Sequence, residues 1–205
     1  MSQSNIRIIK ERANNLQVLM KFLSIIILIL SFAVLIAFVV SFFASPERFN
    51  AVKGSLDWNI AYKLNNGSSF FMKIPFVKIH PMDNTLFNAK YAATITLFLT
   101  FTSTALIFYG IKQISNILNS TAHDITPFIM DNVISLKKLA FTTIIYSVAV
   151  DLLSNTLFSI FVTKIFTLDI SNIHLSGVLP GMLIFAIADI FKYGVFLQKE
   201  FDTTL

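Results

Sequence analysis

Residues 21–43 read KFLSIIILILSFAVLIAFVVSFF, and no charge interrupts the chain between Lys21 and Glu47. About twenty residues at a rise of 1.5 Å each cross a hydrocarbon layer of roughly 30 Å. The run is apolar on every side instead of along one stripe, which is the pattern of a helix surrounded by lipid. The apolar core of a secretory signal is shorter, about 7–15 residues. The stretch therefore predicts an uncleaved signal anchor, although Ala44-Ser45 supplies small residues of the kind a cleavage site uses.

Working outward, the same reading applies three more times. YAATITLFLTFTSTALIFYGI lies between Lys90 and Lys112, a third run from Leu139 to Thr163 is broken only by Asp151, and a fourth extends from Ser176 to Leu197. The expected spans are 22–44, 91–111, 139–163 and 176–197, within a single integral membrane domain of residues 1–205. Tyr91 and Tyr109 mark the ends of the second span, where amphipathic rings favour the interface. Its Thr and Ser residues are expected to bond back to helix carbonyls or across to a neighbour. In the fourth, Gly177, Pro180 and Gly181 fall in the first turns, where a missing amide donor is tolerated.

Composition agrees. Hydrophobic residues are 55% of the chain and charged residues 13%, about half the charged share usual for globular proteins. The net charge of +5 comes from residues beside apolar blocks, so anionic headgroups are the expected partner. Direct nucleic acid binding is not expected, because there is neither a basic recognition helix nor an aromatic RNA-binding platform. The chain has no cysteine, which excludes disulfides and thiolate chemistry. Abundant Phe, Ile, Asn and Lys point to an AT-rich bacterial genome and hence to a bacterial plasma membrane.

The loop at 45–90 carries SLDWNIAYKL and FFMKIPFVKI on either side of NNGSS. Partial alternation around an Asn-Gly turn signal predicts a small β-hairpin, with Pro75 placing the second strand at an edge. In the loop at 112–138, IKQISNILNS continues helical spacing. Thr126-Pro127 reads as the N-cap and first turn of a helix from Phe128. The expected fold class is thus an all-α membrane protein: four transmembrane helices and a small extracytoplasmic hairpin.

Sidedness follows Lys and Arg near span ends. Arg7, Lys10, Arg12 and Lys21 precede the first span, against Arg48 and Lys53 after it. Lys112, Lys137 and Lys138 flank the loop at 112–138, against Lys164 alone between the last two spans. Both termini are expected in the cytoplasm and the hairpin loop outside.

Four charged or amide side chains fall within the spans: Asp151, Asn155, Asp189 and Lys192. An ionised carboxylate at mid-bilayer costs about 2.5–3.5 kcal/mol on insertion scales, so Asp151 marks either a proton or cation site or a structural hydrogen bond between helices. Ser147, Ser154, Asn155 and Phe158 share its face. Asp189 and Lys192, three apart, are placed to pair along one helix. His80, His123 and His174 lie in separate loops, with no metal-ligand spacing. There is no HExxH, Walker loop, GxSxG or dinucleotide fingerprint, so no enzyme activity and no metal or cofactor is expected.

Two segments share a pattern. DITPFIMDNVISLKKLA and ADIFKYGVFLQKEFDTTL together resemble the signatures of a bacterial four-span membrane family, domain of unknown function 2975. The matching positions are Pro127, Phe128, Asn132, Leu136, Lys137, Asp189, Phe191, Lys192, Gly194, Leu197, Glu200, Asp202, Thr204 and Leu205. Asp189 stands where that family commonly has Glu, and Tyr193 where a second basic residue often stands. Members are often encoded beside small helix-turn-helix regulators. The resemblance implies a four-helix membrane protein. Because both signature segments are expected on the cytoplasmic face, the leading expectation is a non-enzymatic regulator or sensor whose inner surface, Asp124 to Lys138 plus Lys192 to Leu205, docks such a cytosolic partner. Two alternatives remain: a small transport or immunity protein using Asp151 and the outer loop, and an accessory subunit packed through Gly110, Gly177 and Gly181.

Overall fold

The computed structural model describes residues 3–76, 87–123, 126–164 and 175–204. Four long helices dominate: α1 (Gln3–Phe43), α2 (Ala89–His123), α3 (Met130–Phe158) and α4 (Val178–Thr204). All four are long and apolar enough to cross a membrane. They also outrun the expected spans. Helix α1 has 41 residues, about 60 Å at 1.5 Å each, because nothing in its polar N-terminal third breaks a helix. Helix α2 continues to His123 through IKQISNILNS, as its spacing predicts. Helix α3 ends in a widened π turn, Ser159–Thr163, closed by Lys164 at φ 54°.

The solvent for these helices can be read from which side chains they hide. Along α1 the buried positions are Ala13, Gln17, Ser31 and Ser41, while Phe22, Ile29 and Phe32 are each 60% exposed or more. A helix facing water would reverse that arrangement; small and polar residues turned inward with large apolar ones outward fit lipid. Thr94, Thr96, Thr100 and Thr102 each donate to the carbonyl four residues back, at 2.8–3.0 Å, so their hydroxyls cost nothing in an apolar surrounding. The chain is a multi-pass membrane protein.

Between α1 and α2 lies a three-stranded antiparallel sheet, β1 (Phe49–Lys53), β2 (Asp57–Lys63) and β3 (Ser69–Pro75), in that order. The expected hairpin is β2–β3, with Trp58 opposite Ile74 and Ile60 opposite Met72. Its turn holds Gly67 at φ 84°, and Leu64 donates its amide to the Ser68 carbonyl at 2.8 Å. Strand β1 was not expected. FNAVK is short and half polar, but pairing from Phe49–Tyr62 to Lys53–Trp58 satisfies the free edge of β2. Pro75 ends β3, which is an edge strand, as proline requires.

The chain divides into two compact units. Met1–Leu30, Thr104–Val148 and His174–Leu205 form the first; Ser31–Ser103 and Ala149–Ile173 form the second, which holds the sheet. In the second unit Trp58, Ile60 and Ile74 pack with Phe87, Ala92, Ala93, Ile95, Leu99, Phe158 and Val162. Trp58 stacks on Phe87 with ring centroids 4.1 Å apart and planes 11° from parallel. In the first unit, a Cβ on Gly177 would stand 2.6 Å from that of Ser147, and one on Gly181 would run into Ile144. Helix α4 therefore approaches α3 at backbone distance. Both glycines serve packing within the chain. Gly110 meets only ordinary contacts, with Leu139 and Thr142.

Candidate docking site

The first unit gathers most of the segment 126–138 and the end of α4. Thr126 does not cap α3: its hydroxyl accepts the Phe128 amide at 3.2 Å, making a local turn, and the helix begins only at Met130. Proline at 127 fixes this turn, and its carbonyl accepts the Ile129 amide at 3.1 Å. Asn132 adds a second donor. Its Nδ2 donates to the Pro127 carbonyl at 2.8 Å, and its Oδ1 accepts the Ser120 hydroxyl at 2.6 Å. At 1% exposure, Asn132 ties the end of α2, the turn and the start of α3 together. One helix further, Gln17 of α1 donates to Asn119 at 2.6 Å.

That anchored turn presents Phe128 to α4. A Cβ at Gly194 would lie 2.6 Å from the Phe128 ring, and the same ring meets Phe191 at 5.2 Å. Only a residue without a side chain lets the ring lie so close to the α4 backbone. A turn earlier on α4, Asp189 pairs with Lys137 of α3 at 3.5 Å. This replaces the expected pair with Lys192, which is exposed and has no carboxylate within 4 Å among the described residues. Asp189 is turned toward α3, where a cation already stands. The side chains are 40% and 70% exposed, and the pair aligns α4 with α3.

The remaining positions spread outward. Glu200 and Asp202 are exposed near the end of α4, and Thr204 is its last helical residue, so the expected tail is a helical extension. Asp124 and Leu205 lie outside the described residues, as do His80 and His174. His123 is the final residue of α2, not a loop residue, with Nδ1 2.9 Å from the Asn119 carbonyl. It borders a polar cavity of about 430 Å³ lined also by Asn116, Asn119, Asp131, Asn132 and Lys138. No cluster of three metal-ligating side chains occurs among the described residues. Asp151 and Asn155 are half-buried on α3, in the second unit, and are not brought to this site.

Sequence reading missed Gln17, Asn119 and Ser120. In α2 the polar series Gln113, Asn116, Asn119, Ser120 keeps helical spacing, and that periodicity was the available signal. Compared with known proteins, the chain matches no family model, no curated protein and no solved structure. Fold and site define a four-helix membrane protein with a small extramembrane sheet and an aromatic, charge-edged platform where α3 and α4 meet.

Proposed function

We propose that this protein is a non-enzymatic membrane regulator, a member of the four-span family it resembles, which holds a cytosolic partner at the α3–α4 platform. The supporting observation is Phe128 seated on Gly194 and against Phe191: two segments far apart in sequence build one surface. Phe128 is 38% exposed, Leu197 and Phe201 are exposed on the side of α4 that carries Gly194, and the Lys137–Asp189 pair adds charge between the same two helices. Aromatic anchors with a charged rim are what a protein partner uses. A small helix-turn-helix regulator is the partner the family resemblance implies. The basic residues before the first span and around 112–138 favour a cytoplasmic platform, with both termini inside a bacterial plasma membrane.

The test passes cytosolic protein from the native cell over the immobilised full chain and over Gly194→Leu, which displaces the Phe128 ring. A partner captured by the wild type should fall at least about tenfold with the variant, the loss of one hot-spot contact; Asp151→Asn should capture it unchanged. Equal recovery on both surfaces, or none on either, overturns the reading. Sidedness is tested independently. Because the chain has no native cysteine, an Asp202→Cys variant offers a single thiol. An impermeant maleimide should label it only after the cells are opened, and labelling of intact cells would reverse the topology.

A further inference from the structure

Lys90, in the first turn of α2, borders two cavities of opposite character, both inside the second unit. One, of about 320 Å³, is polar and is lined by Asn50, Asn88 and Lys90 with the chain at Pro46 and Ala51. The other, of about 390 Å³, is apolar and lies among α1, α2 and α3, walled by Phe38, Phe42, Phe98, Leu157 and Phe161, with Tyr91 beside Lys90. The geometry points to one amphipathic ligand spanning both, and we propose that it is an anionic phospholipid.

Each part of the surroundings fits a part of that molecule. Lys90 has no carboxylate within 4 Å among the described residues, so its ammonium is available to a phosphodiester. The Asn88 side-chain oxygen accepts the Tyr91 amide at 3.1 Å, which leaves its NH₂ as a donor beside that ammonium. Thr94 gives its hydroxyl proton to the Lys90 carbonyl at 2.9 Å. It must then accept from Ser41, 2.8 Å away, which fixes α1 against α2 below the cation. The aromatic wall follows at once: Phe38 lies against Phe98 at 5.6 Å and Tyr91 against Phe161 at 5.9 Å. Depth agrees too. Phe42 is next to the end of α1 and Tyr91 is two residues from the start of α2, so a headgroup at Lys90 would lie at the membrane boundary. The volume falls in the range of ligand pockets, and an acyl chain entering from the bilayer replaces lipid with aromatic contacts. A positive residue at this depth selects an anionic headgroup by about fivefold, equivalent to about 1 kcal/mol.

The test is retention of lipid by the purified full chain in detergent, read by native mass spectrometry. Phosphatidylglycerol and phosphatidylcholine with identical chains are compared. The wild type should keep one phosphatidylglycerol about five times better. Lys90→Gln should erase that preference, and Lys63→Gln, on the exposed end of β2, should not. Glycerol phosphate without chains should fail to displace the lipid. Equal retention of the two lipids by the wild type, an unchanged preference in Lys90→Gln, or displacement by glycerol phosphate would each overturn the assignment. Emission from Trp58, the single tryptophan, verifies that each variant keeps the sheet packed.

Discussion

Trp58→Ala is expected to release the sheet from its helices, at a cost of about 3–5 kcal/mol. Trp58 is fully buried and belongs to the cluster that joins β2 and β3 to α2 and the end of α3 within the second unit. Its removal strips Phe87 of a stacked partner and leaves Ile60 and Ile74 facing a void. A two- or three-stranded sheet has little stability without such a surface. The readout is limited trypsin cleavage in detergent: Lys53, Lys63 and Lys73 in the strands should be cut much faster in the variant, while Lys137 and Lys138 on α3 should not. Trp58→Phe separates packing from polarity. The indole Nε1 is buried with no hydrogen-bond partner among the described residues, and leaving such a donor unpaired costs about 1–3 kcal/mol. Phenylalanine loses area but also loses that penalty, so its net cost should be well below that of alanine. Identical cleavage of the wild type and Trp58→Ala would show that the sheet is held by something else.

How far this arrangement is legible in the sequence differs by layer. The four helices announce themselves, because lipid imposes length and apolarity on each segment separately, and residues 21–43 need no partner to be read. The β2–β3 hairpin is nearly as plain, since an Asn-Gly turn and flanking alternation are local. Strand β1 is not, because FNAVK becomes a strand only when β2 offers an edge. The site is harder still. Gln17 in a polar stretch reads as solvated, yet it is 3% exposed because Asn119 meets it from another helix. Asp189 has a nearer cation in sequence than Lys137, and the pairing is decided by which face of α4 meets α3. Gly194 attracts notice through family resemblance alone, Phe128 as a helix start, and Lys137 and Asp189 as charges; their spacing carries no sign that the four converge.

Gly181→Leu is expected to part α4 from α3. A Cβ at this position would collide with the Ile144 side chain and stand 3.2 Å from the Ala140 carbonyl oxygen. Ile144 has other rotamers, but the carbonyl belongs to the α3 backbone and cannot move unless the helix does. Gly177, four residues earlier, faces Ser147 just as closely, and Ala188 further along is fully buried, so the strain cannot be relieved by a short slide along a small-residue stripe. Overpacking of this kind costs about 1–3 kcal/mol, and more where backbone must shift. At about 2–4 °C per kcal/mol for a chain of this size, the melting temperature in detergent should fall by roughly 2–12 °C. Gly110→Ala, which meets Leu139 only at 3.5 Å, should leave it nearly unchanged. The consequence also reaches the docking surface, since Phe128 rests on the same α4 at Gly194. Gly181→Leu should therefore lose the captured partner without touching a platform residue, while Trp58 emission stays at its wild-type maximum. An unaltered melting temperature would mean that the close approach of α4 to α3 is not what holds these helices together, and the platform built on it would lose its foundation.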